Sequence, residues 1–169
     1  MANQPIEITT DFAILAPVPI MHLKSAVEDG LSEIAFGTSL WEVLNEANSL
    51  RRGLPVNVYI YASWLNTDKD EEKTIPPSVT WKAQYINHLD PARPPDRKAI
   101  NERRPSSTKK SETGKDIEGW GLFWVVKRLC RLNEPVPIHK FKGLKQRAYY
   151  KDTFIPEHPL LIEYLGNFQ

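Results

Sequence analysis

The run "LFWVVKRL", Leu122 to Leu129, constrains the fold more than any other part of the chain, because it is apolar on two sides at once. In an extended conformation Leu122, Trp124 and Val126 project to one face, and Phe123, Val125, Lys127 and Leu129 to the other, since successive strand side chains alternate. A strand with two apolar faces has to be covered on both, so it belongs inside a sheet rather than at its margin. The "EPVPIHKFKGL" that follows ends it and turns the chain through a short helical piece, because proline fixes φ and removes a ladder donor.

Fourteen prolines against eight glycines extend the same argument, predicting many defined strand ends and a β-rich fold. The 169 residues suit a single domain, residues 1–169, with one core. Cys130 is the sole cysteine and lies in an apolar stretch, so it reads as a buried, inert thiol in a reducing compartment. The longest apolar run, Phe12 to Met21, carries two prolines and falls short of the roughly 18 residues a membrane helix needs. No basic leader with a small-residue cleavage site precedes it. The expected setting is cytoplasmic, with no membrane partner.

Along the chain, "DFAILAPV" reads as a buried strand. A helix is expected from Pro19 to Asp29, with Ile20, Leu23 and Val27 on one face and Gly30 after its end. "SEIAFGTS" reads as a second strand. Ser39 and Glu42 then match a capping box opening a helix to Leu50, with Trp41, Leu44 and Ala47 on its inner face. "GLPVNVYIYAS" alternates Val56, Val58 and Ile60 against Asn57, Tyr59 and Tyr61, the pattern of a half-buried strand. "SVTWKAQYINHL" alternates again, with Val79, Trp81, Ala83 and Tyr85 together, and "HPLLIEYL" closes the order as a last strand. Spacings after residue 54 are too short for parallel crossovers, which predicts an α+β fold with mixed, mostly antiparallel pairing.

Residues 91–115 stand apart. Four prolines and few apolar residues predict a flexible insertion with no packed element. Its eight basic and three acidic residues give +5 in a chain of net charge +1, leaving −4 on the remainder. A basic insertion on a mildly acidic body suits a polyanionic partner.

"LRRGLPVNVYIYAS", a strand containing "TWKAQYI", the Pro/Arg/Lys-rich insertion and "WGLFWVVKRLCRLNEPVPIHKFKGL" together resemble the EVE domains of the PUA-like superfamily, whose relatives include YTH and ASCH domains. In element order the resemblance covers Phe12 to Leu144. It implies a PUA-like β-barrel flanked by short helices, with a cleft that in several relatives holds a flipped nucleobase. The implied partner is DNA or RNA, with an ordinary or a modified base.

The candidate pocket follows from that resemblance and from local chemistry. "AFGTSLW" supplies Thr38, Ser39 and Trp41 beside Gly37, where a missing Cβ permits close approach; Ser39 as a cap and Trp41 as a core residue are the competing local roles. Tyr61, Ser63 and Trp64 stand at the end of a strand, where barrel pockets open, although a tryptophan there also serves as rim packing. For the nucleic-acid backbone the candidates are Arg93, Arg97, Lys98, Arg103, Arg104, Lys109 and Lys110. Lys24 and Ser25 fall where YTH relatives carry a lysine–serine pair, but the rest of that cage pattern is not reproduced.

Catalysis finds little in the sequence. His22, His88, His139 and His158 are isolated, Asp68 to Glu72 lacks the alternation of a calcium loop, and no Gly-rich phosphate loop occurs. No metal and no cofactor are expected. Two other classes remain open: a protein-interaction or structural module, and a small ASCH-like amidohydrolase using Lys24 and Thr38 with a glutamate that cannot be assigned.

Overall fold

The doubly apolar run is the start of a sixteen-residue strand, β5 (Leu122–Pro137), in the computed structural model, which describes residues 7–64, 73–109 and 120–166. The other strands are β1 (Ala13–Pro19), β2 (Glu33–Thr38), β3 (Val56–Ser63), β4 (Ser78–Leu89) and β6 (Leu160–Ile162). They form one six-stranded sheet in the order β2-β5-β4-β3-β1-β6. β5 is therefore interior, as its two apolar faces require. Leu122, Trp124 and Val126 enter the main core, while Phe123 and Val125 enter a smaller cluster on the opposite face with Ala35 and Ile100.

β1 and β3 pair in parallel, with Ile14 opposite Val58, and the other four ladders are antiparallel. That one parallel pair needs a crossover, which α1 (Ile20–Glu28), β2 and α2 (Trp41–Leu50) provide. The α+β class and the mixed, mostly antiparallel pairing are as expected. Among the described residues no ladder joins β2 to β6, so the sheet is not closed into a barrel by hydrogen bonds.

The sheet is nevertheless strongly bent. Register shifts interrupt the β4–β5 ladder at Val79/Trp81, Lys82/Gln84 and Tyr85/Asn87, and each such irregularity adds twist. Val79 thereby joins the second core cluster with Tyr59, Tyr61 and Phe141, while Trp81, Ala83 and Tyr85 remain in the main one.

Several local expectations need correction. β3 is buried on both faces, because Tyr59 and Tyr61 fill the second cluster instead of meeting solvent. Ser39 and Glu42 form no capping box: the N-cap of α2 is Leu40, with no side-chain cap, and the Leu40 amide donates to Thr38 Oγ1 at 3.2 Å. Leu44 and Ala47 are buried as predicted, but Trp41, on the first turn, is 50% exposed. Ile20 and Leu23 of α1 are buried while Val27 is exposed. Cys130 is exposed on β5 rather than buried.

The largest correction concerns residues 91–115. They hold a helix, α3 (Pro94–Arg103), followed by a 3-10 turn at Ser106–Thr108. Two of the four prolines that argued against a packed element, Pro94 and Pro95, occupy the first helical turn, where the missing N–H is an orphan in any case. One apolar residue suffices to dock the helix, since Ile100 is fully buried against Ala35, Phe123 and Val125. Residues 110–115 lie outside the described residues.

Candidate functional site

A cleft of about 770 Å³ opens where β1 runs into α1 and β2 runs into α2. Its walls come from Pro17–Pro19 on β1, Ala35–Leu40 at the end of β2, Phe123 and Trp124 at the start of β5, and residues 156–159. In a flat sheet β1 and β2 would stand four strand spacings apart, roughly 19 Å. One cleft lined by both means that the sheet curls until these strands face each other. β6 pairs with β1 only over Ala13–Leu15, so among the described residues the Pro17–Pro19 end of β1 faces the cleft without a strand partner on that side.

The dominant surface in the cleft is aromatic. The Trp120 ring lies over Gly37, so that a Cβ placed there would come within 2.6 Å of its Cγ and Cδ2. Only glycine permits that contact. Trp120 is 43% exposed, so part of its surface stays free beside the cleft. Below it Phe36 and Trp124 pack with ring centres 5.4 Å apart and tilted by 45°, and both are nearly completely buried. A firm apolar floor and one half-exposed indole make a surface on which a flat ligand can stack.

Polar groups ring this floor. Thr38, Ser39 and Ser63 line it, as do His22, His158, Glu157, Thr108 and Arg104. Arg104 is 4% exposed; its Nε donates to Thr108 Oγ1 at 3.2 Å, Nη2 donates to the Thr108 carbonyl at 2.6 Å, and the guanidinium lies 5.5 Å from the centre of the Phe123 ring. The planar cation is fixed by these contacts as part of the wall. His22 Nδ1 lies 2.7 Å from Ser107 Oγ, and His158 Nδ1 lies 3.0 Å from the Pro159 carbonyl. Among the described residues, no group of three or more His, Cys, Asp or Glu side chains could hold a metal ion.

Of the six residues expected in a pocket, Thr38, Ser39 and Ser63 come together in this cleft. Trp41, Tyr61 and Trp64 do not line it. Tyr61 belongs to the second core cluster, where burial raises its phenol above the ordinary range. Trp64 packs against the main core, and its buried indole N–H has no partner among the described residues.

The basic candidates divide. Arg97 and Lys98 are exposed on α3, and Arg93, which precedes the helix, has a side chain 69% exposed and only 3.9 Å from Asp96. Arg103 is paired with Glu33 at 3.0 Å, Arg104 is built into the cleft wall, Lys109 is exposed, and Lys110 lies outside the described residues. Sequence reasoning missed Trp120, His22 and His158 as cleft residues. The available signal was Gly37: in the β2–β5 register it stands opposite Phe123, three residues from Trp120.

No family model matches the chain, and neither a curated protein nor a solved structure matches it. Among the described residues no helix is long and apolar enough to cross a membrane.

Proposed function

We propose that the chain is a nucleic-acid-binding module of the EVE-like, PUA-like kind, and that its cleft accommodates a nucleobase, modified or not. On this reading the curled sheet is a PUA-like barrel left open along the gap between β1 and β2. The observation that carries the proposal is the half-exposed Trp120 ring laid over Gly37 at the edge of a cleft of about 770 Å³, within the usual size range of small-molecule sites. Stacking on such a ring contributes about 1 to 3 kcal/mol per base and tolerates every base, because each has a π face. Selectivity then falls to the hydroxyls of Thr38, Ser39 and Ser63 and to the imidazoles of His22 and His158.

The backbone path is assigned to Arg93, Arg97 and Lys98 beside Lys109, whose charges bind phosphates without reading sequence. Arg103 and Arg104 leave that group, the first for Glu33 and the second for the cleft wall. The amidohydrolase alternative loses its main support, since Thr38 lines the cleft and Lys24 does not.

Tryptophan fluorescence titrated with nucleosides and short single strands tests the reading. Saturable quenching is expected from at least one of them, and it should be lost in Trp120→Ala. Absence of saturable binding by every nucleoside and oligonucleotide would overturn the proposal and favour a protein-interaction module.

A further inference from the structure

The cleft wall formed by Arg104 and Thr108 brackets the 3-10 turn Ser106–Thr108, and that turn is held to α1 by a cluster of side-chain hydrogen bonds. Asp29, the residue capping the end of α1, accepts from the Ser106 amide through Oδ2 at 2.7 Å and from Ser106 Oγ through Oδ1 at 3.0 Å. Ser25, one turn earlier, donates to Asp29 Oδ2 at 3.4 Å, lies 3.0 Å from Ser106 Oγ, and accepts from the Ser107 amide at 3.0 Å. His22, one turn earlier again, meets Ser107 Oγ. One face of α1 therefore grips two consecutive serines. The bonds to Ser106, Ser25 and the nearby Lys109 hold the Asp29 carboxyl below its ordinary range against the opposing effect of desolvation.

We propose that Asp29 is a positioning residue of the cleft: it lines no part of it, yet it seats the Ser106–Ser107 turn so that Arg104 and Thr108 stand in the wall. The inference rests on the cleft being the binding site. Its physical basis is the state of the two amides. Neither the Ser106 nor the Ser107 N–H enters a helix or strand ladder; both end on side chains of α1. A carboxylate accepting an amide and a hydroxyl forms charge-assisted bonds, about twice as strong as neutral ones. The turn's internal bonds, Thr108 amide to Pro105 carbonyl at 2.9 Å and Lys109 amide to Ser106 carbonyl at 3.1 Å, keep its shape, so it moves as one piece when released. By linkage, a ligand touching that wall tightens the grip on Ser106 as much as the grip favours the ligand.

The test compares the wild type with Asp29→Ala and Asp29→Asn by amide hydrogen exchange, by the NMR signal of Arg104 Nε–H, and by nucleoside affinity. Asparagine keeps one acceptor for the Ser106 amide; alanine keeps none. In Asp29→Ala the Ser106 and Ser107 amides should exchange on the order of tenfold faster, the factor carried by one charge-assisted hydrogen bond. The Arg104 Nε–H signal should shift, and nucleoside affinity should fall by a similar factor, with β5 amides unchanged. Asp29→Asn, whose amide oxygen still accepts from the Ser106 N–H but without the charge, should fall between Asp29→Ala and the wild type in each readout. Wild-type protection at Ser106 and Ser107 in Asp29→Ala would overturn the proposal, as would lost protection with an unmoved Arg104 signal and full affinity. A wild type that binds no nucleoside refutes the cleft reading instead, and the exchange and Arg104 arms then decide whether Asp29 seats the wall.

Discussion

Gly37→Ala is the sharpest perturbation of the site, because one methyl group is enough to separate stacking from stability. Gly37 does not use the positive-φ region, which among the described glycines is confined to Gly30, Gly53 and Gly166, so alanine suits its backbone. The added Cβ would lie 2.6 Å from Cγ and Cδ2 of Trp120 and 2.8 Å from Cδ1. Carbon atoms rest about 3.5 to 4.0 Å apart, so the ring has to retreat by about 1 Å. A fully buried ring would resist, at a cost of about 1 to 3 kcal/mol in stability. Trp120 is 43% exposed and can swing toward solvent instead. The expected result is therefore a nearly unchanged thermal midpoint with nucleobase binding weakened by about 1 to 3 kcal/mol, a factor of about 5 to 150. Gly121→Ala is the matched control, since the nearest atom to its new Cβ is the Thr38 carbonyl oxygen at 3.9 Å. Titration calorimetry with the best-binding nucleoside, beside a melting curve, reads both quantities. Wild-type affinity in Gly37→Ala would refute the stacking argument, and a large loss of stability would show that the ring is locked in place.

Ile100→Ala should cost about 2 to 5 kcal/mol in urea unfolding, because it removes the side chain that docks α3 against Ala35, Phe123 and Val125; a change below about 0.5 kcal/mol would return the segment to a loose insertion. Replacing Arg93, Arg97 and Lys98 together with alanine should flatten the salt dependence of single-strand affinity by about 0.7 in log–log slope for each phosphate no longer neutralised, and an unchanged slope would remove α3 from the backbone path. Burial pushes the Tyr59 and Tyr85 phenols from 10.0 up to about 12, so the unfolded chain ionises first. The contribution of these two rings to stability is then constant below about pH 10 and falls between about 10 and 12, as the unfolded state binds fewer protons. Denaturant midpoints measured across that window check the sign, and a rise would contradict the burial of both rings.

The architecture was legible where alternation is strong, and the cleft only where its residues sit beside strand ends. The two faces of β5 could be read from Leu122 to Val126, because period-2 patterning needs no tertiary information. β3 was misread because tyrosine counts as polar in a pattern, while in the fold Tyr59 buries its ring and hands its hydroxyl to the Gly166 carbonyl. α3 was hidden by its prolines, whose meaning depends on whether they begin a helix or interrupt one. Thr38, Ser39 and Ser63 were accessible as strand-end residues. Trp120 could be reached only through Gly37, its neighbour across the β2–β5 ladder, and His22 and His158 not at all, because they come from distant segments that meet only when the sheet curls, and curvature is set by the irregular β4–β5 register.

The prolines of β1 explain why that curl stops at a cleft. Along a strand in a sheet, backbone groups alternate between the neighbours on its two sides. Pro17 and Pro19 sit in the ladder with β3, opposite Tyr61 and Ser63, and neither has an N–H to give. They must therefore occupy the positions whose backbone points away from β3, leaving Ala16 and Val18 to bond it. That outward side is the one facing the cleft, beyond the end of the β6 pairing at Leu15. Across the gap stands β2, which runs antiparallel to β1 by way of β5, β4 and β3. An antiparallel ladder there would need donors from β1 at the two positions that have none. The same residues that let β1 complete its pairing with β3 thus prevent it from zipping to β2, and Trp120 and Arg104 gain a cleft to line.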